Sequence, residues 1–369
     1  MKLVSIEPTP NPNSMKLNLD ESLPKGVTIT YRSEGKAKYA EGIQRLLEIP
    51  GVQSVYHAGD FMAIQRVPSA AWEKILSQAR TLLGGEGAPL EDLGTKPEGE
   101  HWGEVRIALQ QFRRIPMLVK VSDSQEEVRV ALPERFGEAV QRASPASPNM
   151  LLERQWLPQG PRYGNLKEVG ETVVMELEAA YNQVRLDALV QQAFEIGQDG
   201  PEIRRKPKPE DFESPDWKGR YAALEAIGDD PEYLPQLIRA MQDSQIPVRR
   251  LATVLVGLIG TPATLEPLCE ALKDSAVAVR RSAGDALSDI ANPAAIPAMA
   301  AALKDPNKLV RWRAARFLYE LAGPETLPTL AEAMHDPEFE VRMQVQQAIE
   351  RIEGGNAPQG PVWMRMTQG

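Results

Sequence analysis

Apolar and polar positions alternate with period two over residues 15–19 and 27–31, which predicts two short strands near the start of the chain. The period lengthens to that of a helix over 38–48, then returns to two over 52–56 and 61–65. A turn at 57–60, holding His57 and Asp60, joins those last two runs as a hairpin. A closing helix carries Trp72, Ile75, Leu76 and Leu82, with Ser69 as the expected cap, so the order is ββαββα. Strand-like runs follow at 105–109, 115–121 and 127–132, then a helix over 134–142. Beyond a loop holding Trp156 and Tyr163, one long helix is expected over 166–195. The Arg113-Arg114 pair ahead of the second run reads as surface, not as a substrate clamp.

From about 216 the pattern repeats. Asp243, Asp274, Asp305 and Asp336 are spaced by 31 residues, and the pairs Val248-Arg249, Val279-Arg280, Val310-Arg311 and Val341-Arg342 keep the same spacing. Three and six residues after each arginine comes a small or apolar side chain: Ala252/Leu255, Ala283/Ala286, Ala314/Phe317 and Val345/Ala348. A second apolar segment with a first-turn proline, such as Pro267 or Pro297, closes each unit. Each unit is therefore helix, turn, helix. Neither helix can bury its small-residue face alone, so the units must stack. The recurrent Asp243, Arg249, Asp274, Arg280, Asp305, Arg311, Asp336 and Arg342 are expected to form an internal polar ladder, each aspartate capping a helix and reaching an arginine of its own or the neighbouring unit. The positions beside the ladder, Arg250, Arg281, Trp312, Arg313, Arg316 and Tyr319, are the expected partner contacts. Cys269 falls on the apolar face of a repeat helix, where a small buried hydrophobe is expected.

The Asp and Val-Arg register resembles the HEAT-like repeats first described in phycobilisome lyases. Thr9-Pro10-Asn11-Pro12-Asn13-Ser14-Met15-Lys16, with Ile49-Pro50-Gly51-Val52 and Gly59-Asp60-Phe61 behind it, resembles the N-terminal domain of the Nfu/NifU iron–sulfur scaffold family. In that family a CxxC of a separate domain holds the cluster, and this chain contains one cysteine. Thiolate ligands for a cluster are therefore missing, and the resemblance implies a docking surface or a reused fold. The sequence of domains as a whole resembles the bacterial family called conserved virulence factor C. The expected fold is multidomain, α+β and all-α: an Nfu-like domain over 1–84, a linker over 85–103, a middle α/β domain over 104–200, a linker over 201–215, a HEAT-like α-solenoid over 216–353 and a flexible tail over 354–369 whose Trp363 is expected either to fold back onto the body or to anchor a partner.

Composition narrows the function. One cysteine and three scattered histidines (His57, His101, His335) remove disulfide frameworks and multi-cysteine metal sites, so no cofactor or metal is expected. A net charge of −9 disfavours a phosphate-tracking surface, although Arg311, Arg313 and Arg316 make one basic patch. No apolar run nears the ~18 residues of a membrane span, and the first residues carry no secretion pattern, so a cytoplasmic location is expected. With no phosphate-binding glycine loop or nucleophile elbow in sight, the expected role is a non-catalytic adaptor that binds a protein partner. Two other roles stay open: an accessory factor in iron–sulfur cluster assembly or delivery, partnered by the assembly proteins, and a repeat-based lyase or nucleic-acid-binding protein.

Overall fold

The computed structural model describes residues 1–9, 11–24, 26–34, 38–84, 104–123, 126–196 and 202–355. The expected linker at 85–103, His101 and the tail beyond 355, including Trp363, lie outside the described residues. Two compact units are found: one gathers the described residues within Met1–Gly103 and Gly323–Ala357, the other those within Glu104–Ala322.

The first unit begins with β1 (Leu3–Pro8), β2 (Ser14–Leu19), β3 (Thr28–Arg32), α1 (Glu41–Glu48), β4 (Val52–Ala58), β5 (Phe61–Arg66) and α2 (Trp72–Leu83). The strands form one antiparallel sheet in the order β1-β2-β5-β4-β3. The expected elements are all present, and one edge strand, β1, is added to them. Its run lacks clean alternation and ends in Pro8, which an edge strand tolerates. Two expectations are corrected. Ser69 does not cap α2: the cap position is Ala71 with no side-chain bond, and the chain turns through Ala70 N–H donating to Val67 O at 2.9 Å. His57 is not a solvated turn residue but a β4 residue, 7% exposed, because the turn tightens to Gly59-Asp60.

The Thr9–Lys16 motif works as a plug for this fold. The Trp72 indole N–H donates to Pro12 O at 2.9 Å, Thr9 Oγ1 donates to Ser14 O at 3.0 Å, and buried Asn13 accepts from Arg66 Nε at 3.3 Å. Gly51 is required twice over: its φ is +92°, and a Cβ there would collide with that of Ala70.

The second unit opens with β6 (Glu104–Phe112), β7 (Ile115–Ser122), β8 (Glu127–Ala131), α3 (Glu134–Ala143), β9 (Arg154–Tyr163), α4 (Leu166–Ala180) and α5 (Gln183–Glu195). The sheet order is β8-β7-β6-β9, again antiparallel. Val105, Ile107, Leu109, Val119 and Val121 bury one sheet face against Leu166, Val169 and Val173 of α4. The segment expected to be a loop around Trp156 and Tyr163 is strand β9. Pro158, Gly160 and Pro161 mask it in the sequence, and an edge position makes them tolerable. The single helix expected over 166–195 is two helices, because Asn182 is extended and its side chain accepts from Arg185 N–H at 3.0 Å, starting α5 afresh. Arg113 and Arg114 form the β6–β7 turn with φ of 44° and 69°. Arg113 is committed there, its Nε 2.7 Å from Glu153 Oε2.

The repeats follow as α6 (Trp217–Ile227), α7 (Leu234–Ala240), α8 (Ile246–Ile259), α9 (Leu265–Ala271), α10 (Val277–Ile290), α11 (Ile296–Ala302) and α12 (Lys308–Leu321). The residues at three and six after each arginine are buried throughout. Close approach is built in: a Cβ on Gly257 of α8 would lie 2.5 Å from that of Ala286 of α10. From Asp243 to Asp305 the ladder is present in its neighbouring-unit form, and the expected capping is corrected. The arginine pairs with the next unit's aspartate, Arg249 Nε to Asp274 Oδ2 at 2.7 Å and Arg280 Nε to Asp305 Oδ2 at 2.6 Å. Toward its own unit it donates to the aspartate's carbonyl, Arg249 Nη1 to Asp243 O at 2.8 Å. The aspartates do not cap the helices; each accepts from the backbone N–H two residues on, as Asp274 does from Ala276 at 2.7 Å, just ahead of the helix. Arg220 is a ladder member the spacing concealed, pairing with Asp243 at 2.6 Å.

The chain's last two helices, α13 (Leu327–Ala333) and α14 (Phe339–Glu353), belong to the first unit. Phe339 and Met343 join the core that holds Leu17, Trp72 and Ile75. Arg66, itself 4.9 Å from the Trp72 ring centre, pairs with Glu340, and both side chains are nearly inaccessible. Gln347 Nε2 donates to Ile6 O at 3.1 Å. Arg342 keeps its ladder bond to Asp336 O at 2.7 Å.

Candidate ligand-binding cleft

In the second unit each of two ladder arginines has an arginine as its next residue: Arg249-Arg250 and Arg280-Arg281. One residue turns the helix surface by about 100°, so when the first side chain serves the ladder the second must point elsewhere. Arg250 and Arg281 point into a cleft of about 920 Å³ between α8 and α10 on one side and β6, β9 and α4 on the other.

Arg250 Nη2 lies 2.9 Å from Glu176 Oε1, and Arg162 Nη2 lies 2.8 Å from Glu176 Oε2, so one buried carboxylate serves two guanidinium groups. Arg281 and Arg313 each sit 5.3 Å from the centre of the Tyr163 ring, and Arg313 also pairs with Asp285. Arg281 has no hydrogen-bonded carboxylate among the described residues. Burial, reinforced by the neighbouring Arg313 cation, lowers its pKa. Arg162 is lowered in the same way by burial and by Arg250. Burial raises the Tyr163 and Tyr221 hydroxyls, so both rings stay neutral. The remaining lining is mixed: Ile107, Leu109, Val254 and a largely exposed Leu258 are apolar, while Gln111, Gln159, Glu225 and Asp289 are polar. The arrangement can hold an anionic group against a mixed aromatic and aliphatic surface.

Residues 4–86 match the family profile "Scaffold protein Nfu/NifU N terminal", 110–190 match "Virulence factor", and 211–288 and 265–350 match "HEAT repeats". A Bacillus subtilis (strain 168) protein, YpgR, is 44% identical over 269 residues, 72% of this chain and 71% of that one. Conserved virulence factor C of Staphylococcus aureus (strain bovine RF122 / ET3-1) is 36% identical over 263 residues, 70% of each chain. The chain belongs to the conserved virulence factor C family. Among solved structures, protein SAV1430 from Staphylococcus aureus is 32% identical, covering 22% of this chain and 98% of its own, with a TM-score of 0.21.

For this member of the conserved virulence factor C family, the expected contacts distribute unevenly. Arg250 and Arg281 line the cleft, while Arg313, 8% exposed, is buried against Tyr163. Trp312, at 3% exposure, is a buried side chain and not an outward contact. Arg316 is tied to Glu320 at 3.1 Å within its own helix, and Tyr319 is half-buried. The patch of Arg311, Arg313 and Arg316 is thus largely withdrawn from solvent. Cys269 is half-buried, and burial raises its thiol pKa. The sequence reading missed Arg162, Tyr163, Glu176 and Tyr221. The first two sit on the strand hidden by its prolines; Glu176 had a weak signal, an acid flanked by Val173-Val174-Met175 and Leu177. Among the described residues no helix is long and apolar enough to cross a membrane.

Proposed function

We propose that the protein is a non-catalytic adaptor that holds a protein partner on its HEAT-repeat framework, with the Nfu-like domain as a second contact. The observation that carries this reading is the ladder. Arg220, Arg249 and Arg280 are each committed to the next repeat's aspartate and to backbone carbonyls, so the repeats of the second unit keep a fixed register and their remaining positions form one continuous array. Large apolar side chains stand in solvent on that array and beside it: Ile246 and Leu258 on α8, and Leu151, Leu152 and Phe194 on the middle domain. Such exposed apolar side chains are the positions a protein partner would cover. The Thr9–Lys16 motif adds no separate support for cluster delivery, since its polar groups are engaged inside the fold.

The test is in-cell photo-crosslinking from position 246, with exposed Glu266 as the control position. A partner captured from 246 and absent from 266, and lost on Leu258→Glu, is the expected result. Identical capture from both positions would remove the adaptor reading.

A further inference from the structure

Three guanidinium groups, from Arg162, Arg250 and Arg281, line the cleft with buried Arg313 behind them; Glu176 and Asp285 are hydrogen-bonded to this group, and Glu225 and Asp289 also line the cleft. A semi-buried cation whose charged neighbours include further cations is a costly arrangement in the empty protein. Arg281 is in that position: burial, Arg313 and Arg162 act against its charge, Asp285 offsets them in part without a hydrogen bond, and its close contact is the face of Tyr163. An oxyanion placed here would give Arg281 a charged acceptor and offset the repulsion, so binding gains from a cost the fold already bears. The volume of about 920 Å³ suits a small molecule, and the aliphatic wall has no use for a purely ionic ligand. Asp285 and Asp289, both exposed cleft residues, repel an extended polyanion and so select against a nucleic-acid backbone.

We propose that this cleft binds an amphipathic oxyanion, a carboxylate- or phosphate-headed small molecule whose head lies among Arg162, Arg250 and Arg281 and whose apolar body lies along Ile107, Leu109 and Leu258. This goes beyond the adaptor reading and does not rest on it. Calorimetric titration of the full chain with octanoate, octyl phosphate, octylammonium and 1-octanol tests it. One or both anions bind, and the comparison of the two names the head group; the cation and the alcohol bind at least tenfold more weakly. Arg281→Gln weakens anion binding by about tenfold or more, the scale of a lost charge-assisted hydrogen bond. Its melting temperature stays close to that of the parent, because Arg281 holds no carboxylate. Leu258→Asp, at an exposed wall position, weakens binding without touching the arginines. Equal binding of octanol and octanoate, absence of binding by both anions, or full affinity in a folded Arg281→Gln or Leu258→Asp variant would each overturn the proposal.

Discussion

His57 shows how a single side chain ties stability to pH. Strand alternation places it on the buried face of β4 beside Met62, and its Nε2 has no hydrogen-bond partner. Burial therefore lowers its pKa from the usual 6.5. The sign follows directly. Above about pH 7 neither folded nor unfolded state holds the proton, and the site costs nothing. As pH falls below 6.5 the unfolded chain takes up a proton that the folded state resists, so stability declines until the folded pKa is reached. His57→Val keeps a strand-compatible apolar side chain and removes the titration. Melting curves between pH 7.5 and 5.5 should then flatten relative to the parent; an unchanged slope would assign the acid sensitivity to other groups. The position could not be read as buried from its sequence context, because His-Ala-Gly-Asp looks like turn chemistry and only the two-residue turn at Gly59-Asp60 returns His57 to the strand.

At the scale of elements, legibility followed periodicity. The repeat helices announced themselves because a 31-residue spacing fixes which side chains meet, and the ladder followed from the same arithmetic. Strand β9 stayed hidden because prolines and a glycine imitate a loop, and the break between α4 and α5 because Asn182 interrupts an otherwise continuous helical pattern. The cleft was legible by half: Arg250 and Arg281 were found beside the ladder, but their opposing wall is carried by that hidden strand and by α4. The ladder itself can be weighed against ordinary surface pairs. Arg249 and Asp274 are 12% and 10% exposed and joined by two hydrogen bonds, whereas Lys273 and Glu270 are 70% and 58% exposed. Screening leaves the second pair nearly worthless, while a shielded bidentate pair retains about 1.5–3 kcal/mol. Asp274→Asn should therefore lower the denaturant midpoint measurably, and Glu270→Gln should leave it in place. Equal effects from the two variants would mean that the ladder is decorative and that apolar stacking alone sets the register.

For the molecule as a whole, the division of the repeats is the most consequential feature. Sequence register continues unbroken from Asp243 to Arg342, yet compactness assigns α13 and α14 to the unit of the Nfu-like domain. Physical reasons for this lie in α14. Phe339, 4% exposed, enters the same core as Leu17 and Trp72, and the Arg66–Glu340 pair is a buried charge pair that is costly to break from either side. A repeat helix that completes another domain's core should melt with that domain. Chains with two cores are expected to unfold in more than one step, and calorimetry resolves which side chains belong to which step. Leu17→Ala and Phe339→Ala, each emptying the first core, should lower the same transition, Phe339→Ala by about 3–5 kcal/mol. Leu287→Ala, which empties the stack between α8 and α12 in the second unit, should lower the other. If Phe339→Ala instead moved together with Leu287→Ala, the 31-residue register would outrank the Phe339 contact, and the last repeat would be energetically part of the helical array that precedes it.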